Sequence, residues 1–198
     1  VSEKIPHYMI DIVNPKTEYN VAKFKREVYK LIPRIISRGK LPIICGGTMF
    51  WISTIVDNLE FPGVIPNSAL RAELFKLGKR ELFERLQKLD PARALNIDPE
   101  NKVRLVRALD ICEQNDKVSE LTKGHALYDF LQIGINWPKE VLHQRIKKRL
   151  DERFAQGMIE EVKRLHENGL SWKRMELFGL EYRYIARYLE GKLGLEEM

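Results

Sequence analysis

The sequence predicts an α/β protein, because strand and helix patterns alternate at both ends of the chain around a helical middle. Residues 41–45 form a short apolar run with β-branched side chains, which is typical of a strand buried on both faces. Residues 131–135 restore such a strand after the helical middle. Between about residues 68 and 115 the pattern is helical without a convincing strand. We therefore expect a parallel sheet core with a helical insertion domain.

A long helix precedes the first strand. Asn20 can cap it, and Gly39 stands just past its expected end. After the strand, residues 48–59 predict a second helix, and the sequence EFPGVIPNS then breaks the pattern with two prolines and a glycine. The apolar positions of the first helix follow the helical period; they are Val21, Phe24, Val28, Leu31, Ile32 and Ile35.

The second half of the chain returns to alternation after the helical middle. Pro138 suits the first turn of the helix that follows the second strand, and Gly157 is its expected stop. The change of pattern near residue 59 sets the predicted domain boundaries. Residues 1–58 and 128–198 are expected to form the α/β core, and residues 59–127 are expected to form the helical insertion.

The composition is that of a soluble globular protein. The 198 residues are 44% hydrophobic and 31% charged, and the net charge of +6 is compatible with a polyanionic partner. Cys45 and Cys112 lie in apolar segments and are predicted to be reduced core thiols. The four histidines are scattered, and no CxxC or HExxH motif occurs, so no metal site is predicted. Nothing resembles a signal peptide or a membrane span, which favours a cytoplasmic protein without membrane contact.

The end of the first strand is a candidate ligand site. Gly46 and Gly47 leave no side chain in the way of a ligand, and the Thr48 hydroxyl would stand at the carboxyl end of the strand. Open α/β sheets bind ligands at this edge. The same residues also fit an ordinary strand-to-helix turn with Thr48 as helix cap, and taken alone they favour that interpretation.

Two arginine pairs are candidates for binding phosphate. Arg104 and Arg107 are three residues apart, and Arg145 and Arg149 are four apart, so each pair shares a helical face. A guanidinium suits phosphate oxygens because it presents a planar fork of donors and keeps its charge. Solvated helix faces carry such pairs as well, and each pair taken alone favours a solvated face.

Segments along nearly the whole chain resemble, in order, the tRNA dimethylallyltransferase family, also called tRNA isopentenyltransferase. They are PHYMIDIVNP, YNVAKFKREVYKLI, GKLPIICGGTMFWI, LDPARALNIDPENKVRLVRALDICEQNDKVSEL, LHQRIKKRLDERFAQGMIEEVKRL and FGLEYRYIARYLEGKL. The resemblance implies a P-loop-kinase-like core with a helical insertion. It implies transfer of a dimethylallyl group from dimethylallyl diphosphate, usually with Mg²⁺, to N6 of the adenosine adjacent to the anticodon of tRNA. A monomer is the expected state.

The resemblance also assigns roles to single residues. Gly46 and Gly47 would let a flipped adenine approach the strand end, and the Thr48 hydroxyl would bond the region of the reacting N6. Asn101 stands where an aspartate is common, and FGLEYR replaces the usual GYR-like turn. The arginines are assigned to the diphosphate leaving group (Arg145 and Arg149) and to the tRNA anticodon stem-loop (Arg71, Arg104, Arg107 and Arg183).

By the same resemblance the chain is expected to be a fragment. Family members begin with a strand, a GxTxSGK[ST]-like loop that holds the diphosphate, and an Asp-Ser segment that supplies the base, and none of these precedes Val1. The basic helix that usually closes the core is also missing before Met198. Two alternatives stay open: an adenylate isopentenyltransferase that acts on AMP or ADP, and a non-catalytic RNA-binding module. The arginines of the helical segment favour tRNA over a free nucleotide.

Overall fold

The computed structural model describes residues 5–61, 63–115 and 122–198, and the chain divides into two compact units. One unit is Val21–Phe130, and the other combines Val1–Asn20 with Leu131–Met198. The described residues are mostly helical, with one two-stranded sheet among them. No helix formed by these residues is both long enough and apolar enough to cross a bilayer.

The first two helices follow the sequence pattern closely. Helix α1 (Val21–Ile36) begins directly after Asn20, and Gly39 has a left-handed φ of +67° just beyond its end, which confirms the predicted helix. Helix α2 (Met49–Val56) packs against α1. It ends earlier than predicted, because Asn58 takes a left-handed φ of 46° and turns the chain into a strand.

The middle of the chain folds into four helices around a shared apolar core. These are α3 (Ser68–Leu74), α4 (Lys79–Leu89), α5 (Pro91–Leu95) and α6 (Lys102–Asn115). Helix α6 packs against both α3 and α4. Residues 68–115, all of them described, contain no strand, as predicted. The core of these four helices contains Leu74, Leu82, Leu86, Ala94, Ile97, Leu105, Val106, Ala108, Leu109 and Cys112.

A short antiparallel ribbon joins the two ends of the helical segment. Strand β1 (Leu59–Glu60) pairs with β2 (Thr122–Lys123), with Glu60 opposite Thr122. Asn58 fixes the junction: its Nδ2 donates to the carbonyl of His125 at 2.9 Å. Its Oδ1 accepts a hydrogen bond from the Tyr29 hydroxyl at 3.1 Å. Residues 21–58 share a unit with the helical segment, and the domain boundaries predicted beside the ribbon stay a prediction.

Gly124 is expected to be intolerant of any side chain. A Cβ atom there would lie 2.8 Å from Asn58 Nδ2 and 2.9 Å from the Asn58 carbonyl oxygen, which is held by the Gly124 N–H. We expect Gly124→Ala to lower the free energy of unfolding by about 1–3 kcal/mol, because overpacking forces the backbone to shift. Denaturant unfolding measures the effect. Gly63→Ala is the control, since no atom lies within 4 Å of that Cβ position. Equal stability of the two variants would contradict the prediction.

The second unit is built on helices near the end of the chain. They are α7 (Lys139–Ala155), α8 (Met158–Glu167), α9 (Trp172–Met175) and α10 (Leu180–Leu189). Helix α7 begins after Pro138 and ends before Gly157, as predicted, and it has no buried residue. Arg174 holds the N-terminal segment to this unit: its Nη2 donates to the Thr17 carbonyl at 2.7 Å. The core contains Met158, Val162, Leu170, Met175, Ile185 and Ala186.

Neither predicted strand forms. Residues 41–45 and 131–135 are irregular, and their side chains are largely exposed: Ile43 is 81% exposed and Leu131 is 88% exposed. The expectation of burial is wrong for both segments, because an apolar run is buried only where partner strands are present. Cys45 is likewise exposed, whereas Cys112 is buried as predicted. The structure supports a mostly helical α/β protein and does not confirm a parallel, P-loop-kinase-like sheet.

Candidate functional site

The glycine pair and Thr48 form an exposed turn at the start of α2. No atom lies within 4 Å of the position that a Cβ would take at Gly46 or Gly47, so the backbone is open to a ligand there. Thr48 occupies the N-cap position, and its carbonyl accepts from the Trp51 N–H at 3.0 Å. Its side chain makes no capping hydrogen bond. The Thr48 hydroxyl therefore remains available to a ligand, although its role stays a prediction.

Helix α7 presents the predicted diphosphate arginines on an unburied surface. The Arg145 guanidinium lies over the ring of Trp137, 4.8 Å from its centroid. This cation–π contact restricts where the guanidinium can point. Arg149 lies one turn further along the exposed helix. Trp137 was not predicted from the sequence, where its only signal is an aromatic residue two positions before the start of a basic helix.

Two of the predicted RNA-binding arginines meet at one buried carboxylate. Arg71 contacts Asp110 Oδ2 through Nε at 2.7 Å and through Nη2 at 2.6 Å. Arg107 contacts the same oxygen through Nη1 at 3.4 Å. Asp110 Oδ1 accepts from the Asn67 N–H at 3.2 Å and from Gln114 Nε2 at 3.1 Å. We call these five residues, Asn67, Arg71, Arg107, Asp110 and Gln114, the Asp110 cluster.

The Asp110 cluster carries a net positive charge at the surface of the helical segment. Asp110 is fully buried, whereas the side chains of Arg71 and Arg107 are 28% and 38% exposed. Burial lowers the pKa of the Arg107 guanidinium, the nearby charge of Arg71 lowers it further, and Asp110 opposes both effects. An arginine stays protonated in proteins, so two positive charges share one negative charge. Asp110 was not predicted from the sequence, where its only signal is a carboxylate inside the apolar run ALDIC.

The other two predicted RNA-binding arginines have different surroundings. Arg104 is exposed one turn before Arg107, and its N–H donates to Asn101 Oδ1 at 3.1 Å. Asn101 therefore serves as the cap of α6. Arg183 instead donates from Nε and Nη2 to the Glu176 carbonyl, at 3.2 Å and 3.1 Å. This contact ties Arg183 to the turn before α10, and its placement at RNA stays a prediction.

The predicted site residues are divided between the two units. Thr48, Arg71 and Arg107 belong to Val21–Phe130, whereas Arg145 and Arg149 belong to the unit that contains Leu131–Met198. Among the described residues, no group of three or more His, Cys, Asp or Glu side chains could hold a metal ion. What the two arginine sites share is chemistry: each presents guanidinium groups that suit phosphate oxygens.

Comparisons with known proteins give consistent results along the whole chain. The model of the IPP transferase family matches residues 1–198. The tRNA dimethylallyltransferase 2 of Shewanella sediminis is 39% identical over 195 residues, which cover 98% of this chain and 65% of that protein. The tRNA dimethylallyltransferase 1 of Geotalea uraniireducens is 39% identical over 194 residues, which cover 98% and 64%.

Solved structures give the same result. The crystal structure of the full-length tRNA isopentenylpyrophosphate transferase from Bacillus halodurans matches with a TM-score of 0.64 and 30% identity, covering 98% of this chain and 62% of that one. The chain thus spans just under two thirds of the length of these relatives, at 65% and 64% of the two curated proteins.

Proposed function

This chain belongs to the IPP transferase family, and from that premise we propose that it acts in the transfer of a dimethylallyl group from dimethylallyl diphosphate to N6 of the adenosine adjacent to the anticodon of tRNA. The observation that carries the proposal is the similarity to tRNA dimethylallyltransferases over 98% of the chain. The two arginine sites are consistent with it, because both substrates of this reaction carry phosphate groups.

The proposed reaction is a substitution at the first carbon of the dimethylallyl group. The N6 nitrogen of adenine forms a bond to this carbon while the carbon–oxygen bond to the diphosphate breaks, and the bonding electron pair leaves with the diphosphate. Arg145 and Arg149 would stabilise the negative charge that develops on the leaving group. The N6 proton passes to a base, which the family resemblance expects to be an aspartate.

The glycine pair and Thr48 are proposed to receive the flipped adenine. A base that leaves its stack needs an open surface and hydrogen bonds to its edge. The exposed backbone at Gly46 and Gly47 offers the open surface. The Thr48 hydroxyl, which makes no capping hydrogen bond, offers a hydrogen bond to the edge of the base. Thr48 would hold N6 in the attacking position.

The proposal also includes Mg²⁺ and a parallel sheet. When bound, Mg²⁺ would neutralise charge on the diphosphate; the described residues contain no group of three or more His, Cys, Asp or Glu side chains that could hold it. Residues 41–45 and 131–135 would become strands of a P-loop-kinase-like sheet only beside partner strands. We further propose a monomeric enzyme of the cytoplasm.

A prenyl transfer assay tests the proposed function. Labelled dimethylallyl diphosphate is offered with a tRNA anticodon stem-loop, with AMP or with ADP. The chain is assayed alone and joined to the part of the Shewanella sediminis relative that the match leaves uncovered. We expect transfer to the stem-loop and none to AMP or ADP. Transfer to AMP or ADP at a comparable rate would favour the adenylate enzyme, and RNA binding without any transfer would favour the non-catalytic module.

Alanine substitutions at the two arginine sites are expected to affect different substrates. Arg107→Ala should weaken stem-loop binding and lower its salt dependence by about one phosphate contact, while the KM for dimethylallyl diphosphate stays unchanged. Arg149→Ala should raise that KM and spare RNA binding. Anisotropy titrations at several salt concentrations and steady-state kinetics measure the two effects. Arg85→Ala is the control, since Arg85 is an exposed arginine paired with Glu81 at 2.9 Å. Equal losses of RNA affinity at both sites would contradict this division.

A further inference from the structure

We propose that Asp110 is a positioning residue for RNA binding: it holds the guanidinium groups of Arg71 and Arg107 together so that one phosphate group of the RNA backbone contacts both. The proposal rests on the proposed function, because it takes RNA as the ligand. Asp110 itself would touch no RNA, since its side chain is fully buried.

The contacts of Asp110 fix the orientation of Arg71. Nε and Nη2 of Arg71 both reach Oδ2, at 2.7 Å and 2.6 Å, so the guanidinium is held along one side. This geometry leaves Nη1 without a partner among the described residues, and the side chain is 28% exposed. Arg107 approaches the same oxygen through Nη1 at 3.4 Å. Two like charges stay this close only because a carboxylate lies between them.

Asp110 is itself held from the other side and cannot move with the arginines. Its Oδ1 accepts the Asn67 N–H at 3.2 Å and Gln114 Nε2 at 3.1 Å. Gln114 Nε2 also donates to the Ile65 carbonyl at 3.0 Å. These bonds connect the cap of α3 and the segment before it with the second half of α6. The carboxylate therefore forms a fixed point around which both guanidinium groups are ordered before any ligand arrives.

The charge of the cluster points to an anion as the missing partner. One arginine suffices to neutralise Asp110, and Arg71 already does so with two short contacts. Arg107 is therefore an additional cation in a half-buried place, and Arg104 is exposed one turn away on α6. A single phosphate group would balance the remaining charge of the cluster and accept hydrogen bonds from both arginines.

Asp110→Asn tests the proposal by the direction of its effect. The change keeps the side-chain volume and removes one negative charge. If Asp110 acted through its charge alone, affinity for a labelled anticodon stem-loop RNA would rise. As a positioning residue, its loss should weaken binding by about five- to tenfold, with a salt dependence smaller by about one phosphate contact. Affinity equal to or higher than that of the unsubstituted chain would overturn the proposal.

Asp90→Asn is the matched control. Asp90 is a second buried carboxylate of the same unit, and it accepts the Arg93 N–H at 3.0 Å at the start of α5. Its replacement should lower thermal stability and leave RNA affinity unchanged, with all titrations made at a temperature where circular dichroism shows folded protein. Equal losses of affinity in both variants would overturn the proposal, because a general loss of stability would then explain them.

Two further measurements complete the test. In the Arg71→Ala, Arg107→Ala background, Asp110→Asn should have no additional effect on RNA affinity. If Asp110→Asn does not fold, Gln114→Met replaces it, since this change loosens Asp110 and removes no charge. We expect Gln114→Met to weaken binding about two- to threefold, and unchanged affinity would overturn the proposal. Lack of salt-dependent RNA binding by the unsubstituted chain would instead refute the proposed function.

Discussion

Replacing Asp110 by alanine is expected to destabilise the packing of α3 on α6 by about 3–5 kcal/mol, because it leaves two partly buried guanidinium groups without their counter-charge. The Asn67 N–H and the Gln114 amide lose an acceptor in the same change. Hydrogen exchange of the α6 amides measures this loss of stability locally. The measurement does not require the two units of the chain to unfold together.

Glu84→Ala is the control for this experiment. Glu84 pairs with Arg80 at 2.9 Å on the exposed face of α4, where the Arg80 side chain is 93% exposed. Removing such a surface pair should change stability far less than Asp110→Ala does, because both side chains are solvated. If Asp110→Ala cost as little as Glu84→Ala, Asp110 would not organise the helical segment.

Thr48→Ala is expected to lower kcat for prenyl transfer by about ten- to a hundredfold, the effect of losing one hydrogen bond that positions the reacting N6. Thr48→Ser, which keeps the hydroxyl, should retain much of the activity. Steady-state kinetics are measured on whichever form of the chain is active in the transfer assay. Thermal melts of the same variants are recorded beside them.

The competing interpretation makes Thr48 a simple helix cap. It predicts a stability loss of about 1 kcal/mol with catalysis nearly intact. The missing side-chain capping bond already weighs against a large loss of stability. An alanine variant with a lowered Tm and a normal kcat would show that Gly46, Gly47 and Thr48 form an ordinary turn at the start of a helix.

The helices could be predicted from the sequence because their signals are local. The period of apolar residues in α1, the cap at Asn20 and the stop signal at Gly39 each depend on only one or two turns of chain. The strands were misread at both places where they were predicted. Residues 41–45 and 131–135 have the composition of buried strands, but burial depends on neighbours that no local pattern can supply.

The candidate site was predictable in its parts and not in its arrangement. The spacing of Arg104 and Arg107 indicates one helical face, which the structure bears out with α6. No spacing shows that Arg71, on another helix, reaches the same carboxylate as Arg107. That meeting depends on how α3 packs against α6, and an aspartate in the middle of a helix gives no indication of its partners.

The ribbon that joins Glu60 to Thr122 also has an evolutionary consequence. Paired residues of neighbouring strands lie about 5 Å apart, so the helical segment begins and ends at nearly one point. The cost of closing a segment between two such points rises only with the logarithm of its length, by about 0.6 kcal/mol for each doubling. Selection can therefore lengthen, shorten or exchange the helices beyond the ribbon while Tyr29 and Asn58 keep the junction unchanged.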